Sequence, residues 1–137
     1  MRNKKSLESK IAARIARKKC TVLLRKDFQD LGGYDQVGRV LKELVRKKRI
    51  VRIGYGLYAK AKISPLTGQV VPEKSLPQLA KEALQRLGVK TSPSTVERDY
   101  NAGKSTQVPT GRLIGVDGRV SRRIGYNGAY VHFEKAT

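Results

Sequence analysis

Four polar residues recur along one run of the chain at spacings that place them on a common helical side: Gln36, Arg39, Lys42 and Arg46. Their chemistry is that of base and phosphate recognition. A planar guanidinium offers two parallel donors that match the O6/N7 edge of guanine, and a carboxamide matches the N6/N7 edge of adenine. Arg39 is therefore the candidate reader of guanine and Gln36 of adenine. Lys42 completes the candidate base-contact set, although it lies far enough along the helix to suit phosphate, as Arg46 does. Six more side chains suit the sugar–phosphate backbone. Arg25 and Lys26 lead into a short helical stretch, Tyr34 and Lys47 bracket the main helix, and Arg52 and Tyr55 belong to a hairpin.

These residues need a scaffold, and the hydrophobic pattern supplies one. Val37, Val40, Leu41, Leu44 and Val45 follow amphipathic spacing, which predicts a helix over 35–48 with Asp35 as its cap. An earlier helix is expected from Ser6 to Lys19, with Ser6 as N-cap and Leu7, Ile11 and Ile15 as its apolar stripe. After the apolar stretch Thr21–Leu24, a brief helix over 26–31 turns Phe28 and Leu31 inward, and Gly32-Gly33 permits a sharp turn. Ile50–Ile53, the turn Gly54-Tyr55-Gly56 and the return Leu57–Ala59 read as a hairpin. Three helices followed by a hairpin is the order of a winged helix-turn-helix, assigned to residues 1–62. In such motifs the second helix enters the major groove, with residues near its N-terminus on base edges. A solvated cationic helix face has the same composition. The short helix, the glycine turn and the hairpin around it favour the groove.

Residues 63–137 are expected to form a small α+β module for dimerisation or partner binding. Residues 61–74 read as a linker, with turn signals at Ser64-Pro65 and Thr67-Gly68. A helix over 76–87 follows, with Pro77 in its first turn and Gly88 as its stop. Ser94-Thr95-Val96-Glu97 has the capping-box pattern for a second helix ending near Asn101. Runs at 112–116, 119–124 and 129–134, divided by Asp117-Gly118 and Asn127-Gly128, predict a three-stranded antiparallel meander.

Charge narrows the partner. Thirty basic side chains against eleven acidic ones give the 137 residues a net charge of +19. Residues 1–62 hold 19 basic and 5 acidic groups, so the excess is concentrated in the winged segment. Self-repulsion of that size is relieved by a polyanion, with release of its counterions. Cys20 is the only cysteine and His132 the only histidine, so neither an internal disulfide nor a ligand cluster can form from them. No nucleophile–base pair stands out. The expectation is a non-enzymatic cytoplasmic protein without metal or cofactor, without membrane association, and either monomeric or homodimeric.

The segments Phe28-Gln29-Asp30-Leu31-Gly32, Val37, Leu41 and Leu44-Val45, and Ile50-Val51-Arg52-Ile53-Gly54-Tyr55-Gly56-Leu57-Tyr58 resemble the winged helix of AbiEi-type antitoxins of type IV toxin–antitoxin systems. Pro93-Ser94, the loop Ser105–Pro109 and Ser121-Arg122-Arg123-Ile124-Gly125 resemble a small family related to them. The resemblance implies binding to inverted repeats in the protein's own promoter, autorepression, and opposition to a nucleotidyltransferase-like toxin. Two other roles share the charge pattern. One is an RNA- or ribosome-associated protein, disfavoured by the dispersed aromatic residues. The other is a toxin-neutralising module that binds no DNA.

Overall fold

The computed structural model describes residues 6–118 and 120–135, arranged as two compact units, Met1–Glu73 and Lys74–Thr137. Both mix helices with small sheets.

The first unit begins with α1 (Leu7–Arg17), capped by the Ser6 hydroxyl, which accepts from the Ser9 N–H at 3.1 Å. The strand β1 (Val22–Leu24) runs into a 3-10 turn, Arg25–Phe28. This turn replaces the brief helix expected over 26–31. Asp27 folds its carboxylate back onto the Leu24 N–H at 3.0 Å, which closes the turn locally, and Gln29–Gly32 continue as turns. The main helix, α2, spans Tyr34–Arg46, so its cap is Gly33 and Asp35 sits in the first turn. There a carboxylate still complements the positive end of the helix dipole. Gly32 and Gly33 are absent from the residues with positive φ. What Gly32 provides is room, because a Cβ there would press on the Leu7 side chain at 3.1 Å.

β2 (Ile50–Gly54) and β3 (Leu57–Ile63) form the hairpin, with a register shift between Arg52 and Gly54 and with Gly56 at φ +67°. β3 is the central strand: β1 and β2 both pair antiparallel to it. It is longer than the return expected from sequence. Residues 61–74, read as a linker, instead complete β3 and add β4 (Val70–Pro72), paired antiparallel through Ala61↔Pro72 and Ile63↔Val70. The turn Ser64–Gln69 closes through the Ser64 N–H to the Gln69 carbonyl at 2.8 Å.

Ile11, Leu23, Phe28, Val37, Leu41, Leu44, Ile50 and Tyr58 make one core, flanked by Leu7, Ile15, Leu31, Val40 and Val45. The helical period that predicted α2 therefore marks its buried face. Ion pairs hold α1 in place. Arg14 grips Asp30 with both terminal nitrogens, Lys18 lies 3.7 Å from Asp27, and Glu8 meets Lys47 at 3.0 Å. Asp30 is thus the counter-ion of Arg14 on α1.

In the second unit α3 (Leu76–Arg86) buries Leu76, Leu79, Ala80, Ala83 and Leu84. α4 (Thr95–Asn101) carries the expected Ser94 cap, which accepts from the Glu97 N–H at 3.2 Å. The meander does not form. β5 (Thr91–Ser92) pairs antiparallel with β6 (Leu113–Val116), and β6 pairs parallel with the last strand. That strand, β9, is His132–Lys135. The Asp117 N–H donates to the Lys90 carbonyl at 2.9 Å, tying the chain after β6 to the β5 side instead of folding it back as a hairpin. Of the expected strand 119–124, Arg119 lies outside the described residues, and residues 120–124 make no ladder. Asn127-Gly128 does turn a hairpin, between β7 (Gly125–Tyr126) and β8 (Ala129–Tyr130), with φ of 52° and 80°.

Three carboxylates are held below their usual range: Asp30 by its bond to Arg14, Glu43 by its bond to Arg46, and Glu134 by the hydroxyl and N–H of Thr95. A pKa depressed in the fold contributes stability above the unfolded-state value and loses it as pH falls through the folded one. The Tm is therefore expected to hold from neutral pH to about 5 and to fall progressively below about 4. Asp30→Asn should remove part of that acid limb. An acid limb identical to that of the wild type would show that the Arg14 pair contributes nothing.

Candidate nucleic-acid interface

At 100° per residue, Asp35, Arg39, Lys42 and Arg46 share an arc of roughly 60° on α2. All four are exposed, while Val37, Leu41 and Leu44 face the core. The buried face of α2 thus forces its cationic face outward. No side-chain hydrogen bond or ion pair from the protein engages Arg39 or Lys42 among the described residues. Arg46 differs, because its guanidinium is bonded to Glu43 one turn earlier on the same helix. That bond lowers the Glu43 pKa and raises that of Arg46. Lys47, bonded to Glu8, is also partly compensated. Both would have to share their acidic partners with a phosphate.

Gln36 is exposed, but its amide oxygen accepts from the Gly33 N–H at 3.4 Å, a long one-sided cap. Lys26 is exposed beside the same helix end. It lines a cleft of about 310 Å³ with Arg25, Gln29, Gly32, Gly33, Tyr34 and Val37. Arg52 turns its Nε toward the Gly54 carbonyl at 3.2 Å and remains exposed on the hairpin.

Arg25 has a different setting from the one its position in the sequence suggests. Its terminal nitrogen donates to the Tyr34 carbonyl at 2.7 Å, and its Cζ lies 3.5 Å from the centroid of the Tyr34 ring. Its Nε is buried without an acceptor. The opposite wall is Gly38. A Cβ there would stand 2.6 Å from the Arg25 Cζ and closer still to a terminal nitrogen. A glycine inside a helix costs about 1 kcal/mol relative to alanine, and here it makes the space that the guanidinium fills. Tyr34 in turn lies beside Tyr55 at the hairpin tip, whose phenol raises the Tyr34 phenol above its usual 10.0 against the opposing charge of Arg25. Both rings remain open to solvent, at 64% and 72% exposure. Aromatic residues dispersed in sequence are therefore brought together at the junction of α2 and the hairpin.

Sequence reading missed this arrangement, although a lone glycine amid the α2 pattern was a signal for it. Lys48 and Arg49, which complete the basic run Arg46–Arg49 but lie outside the expected contact set, are exposed where α2 ends. Lys48 has φ 63°, the left-handed conformation that favours glycine, and the Arg49 N–H closes the helix on the Leu44 carbonyl at 2.9 Å.

Cys20 belongs to the first unit and His132 to the second. Among the described residues no group of three or more His, Cys, Asp or Glu could hold a metal ion, and no helix is long and apolar enough to cross a membrane. The sequence profile of one family, described as a family of unknown function (DUF6088), matches residues 10–137. No curated protein and no solved structure matches the chain.

Proposed function

The chain belongs to the DUF6088 family of unknown function, and we propose that it is a sequence-specific regulator of transcription that binds duplex DNA through a winged helix-turn-helix in its first unit. One observation carries the reading. α2 turns Arg39 and Lys42 outward on a single ridge, neither of them held in an ion pair among the described residues, in a chain of net charge +19. In this reading Arg39 bonds a base edge, Lys42 continues the contact, and Arg46, Lys47 and Arg52 meet phosphates on either side. The 3-10 turn and α2 form the helix-turn-helix, and β2–β3 is the wing. Autorepression of an antitoxin operon, with a nucleotidyltransferase-like partner, rests on the resemblance to AbiEi antitoxins. Co-purification of the two proteins tests it.

The test of DNA binding is the salt dependence of affinity for labelled duplex. Neutralising about six phosphates gives a log–log slope near −5, and a slope near zero excludes the model. One observation favours a second reading. Tyr34 and Tyr55 form an exposed aromatic pair on which an unpaired base could stack. Competition of duplex DNA against structured and single-stranded RNA decides between them, and the proposal expects duplex DNA to win.

A further inference from the structure

We infer that Arg25 is a positioning residue, a clamp that holds the β2–β3 tip against the N-terminus of α2, and not one of the groups that neutralise phosphate. The inference rests on the DNA-binding reading and reassigns one residue within it.

The geometry is a chain of four contacts. The Arg25 guanidinium is bonded to the Tyr34 carbonyl, covered by the Tyr34 ring and seated in the space left by Gly38, and the Arg25 N–H donates to the Gly56 carbonyl at the hairpin tip at 3.4 Å. Arg25 itself begins the 3-10 turn, so three separate segments meet at one residue, α2 through its side chain and the hairpin through its N–H. A guanidinium offered to phosphate would keep its donors in solvent. This one has a buried Nε, with one terminal nitrogen committed to a carbonyl. A phosphate at the tip would have to compete with those contacts, whereas Arg39 and Lys42 have none to give up. If α2 and the hairpin both touch DNA, the distance between their contacts must match the groove. Fixing it beforehand avoids the ordering cost at binding.

Gly38→Ala separates this role from folding. The new methyl takes the place of the guanidinium, while alanine suits a helix better than glycine. The full chain is compared as wild type, Arg25→Ala, Arg25→Lys, Gly38→Ala and the Arg25→Ala/Gly38→Ala double variant, on labelled random-sequence duplex over a range of salt. Arg25→Ala and Gly38→Ala should each weaken binding about three- to tenfold with an unchanged salt slope. The double variant should be no worse than either single one, because both remove the same contact. Gly38→Ala should keep or raise the Tm. Lysine lacks the planar fork, so Arg25→Lys should not rescue.

A slope lowered by about one in Arg25→Ala, additive losses, or rescue by lysine would overturn the clamp and return Arg25 to the phosphate contacts. Failure of the wild type to bind any duplex defeats the DNA reading instead. The clamp is then decided by the Arg25 Nε–H resonance. Slow exchange in the wild type that is lost in Gly38→Ala supports it, and fast exchange in both overturns it.

Discussion

Arg39→Ala should relax base preference at one position of the selected site and weaken binding there by about 1–3 kcal/mol, roughly five- to 150-fold. The size follows from the side chain's situation. Arg39 is exposed on the α2 ridge with no acidic partner, so no competing bond must be broken before it reaches a base. Its planar fork gives two parallel bonds to one guanine edge, and the loss falls on that edge alone. Lys42→Ala, one turn further on, should weaken binding on every sequence and reduce the salt slope by about one if its contact is a phosphate. Site selection with randomised duplexes, followed by affinity measurements on the selected and the scrambled site, separates the two patterns. Equal losses for Arg39→Ala on all sequences would assign it to phosphate. No loss on any sequence would end the role given to α2. Arg46→Ala should cost less than Arg39→Ala, because its bond to Glu43 is given up on binding.

Phe28→Ala should have the largest effect on folding, a loss of about 3–5 kcal/mol. Phe28 is fully buried on the 3-10 turn and belongs to the core that joins α1, α2 and the hairpin. At about 0.05–0.15 kcal/mol per residue, a unit the size of Met1–Glu73 has a total stability of about 4–11 kcal/mol. The substitution therefore removes between about a quarter of that stability and all of it. Urea denaturation should show the midpoint of the first unit falling sharply, with DNA binding lost in parallel because α2 rests on this core. Phe28→Leu, which keeps most of the volume, should retain a folded unit. A loss under about 1 kcal/mol for the alanine variant would mean that the surrounding side chains close the gap.

Much of the first unit was legible because its signals are local. The apolar period of α2, the Ser6 cap and the glycine turn of the hairpin each depend on residues within a turn or two of one another. So do the Ser94 cap and the Asn127-Gly128 turn in the second unit. The failures share one cause. Asp117-Gly118 has the composition of a hairpin turn, yet the partner that β6 accepts is β9, parallel and beyond a complete intervening hairpin. Pairing across that separation leaves no periodic trace in the chain. The supposed linker was likewise misread, since its turn residues close a strand pair instead of separating domains.

The same division runs through the interface. Composition alone determined that the chain is strongly cationic, that the excess lies in its first half, and that α2 carries Arg39, Lys42 and Arg46 opposite an apolar face, because charge and helical period are properties of neighbours along the sequence. Only the tertiary structure decided which cations are available. Lys47 finds Glu8 thirty-nine residues away, Arg14 finds Asp30 sixteen residues away, and Arg25 is held by Tyr34 and Gly38, while Arg39 and Lys42 stay exposed without an ion pair among the described residues. Whether a surface charge is spent inside the molecule depends on what packing brings within a few ångströms of it, and no residue type or spacing specifies that in advance.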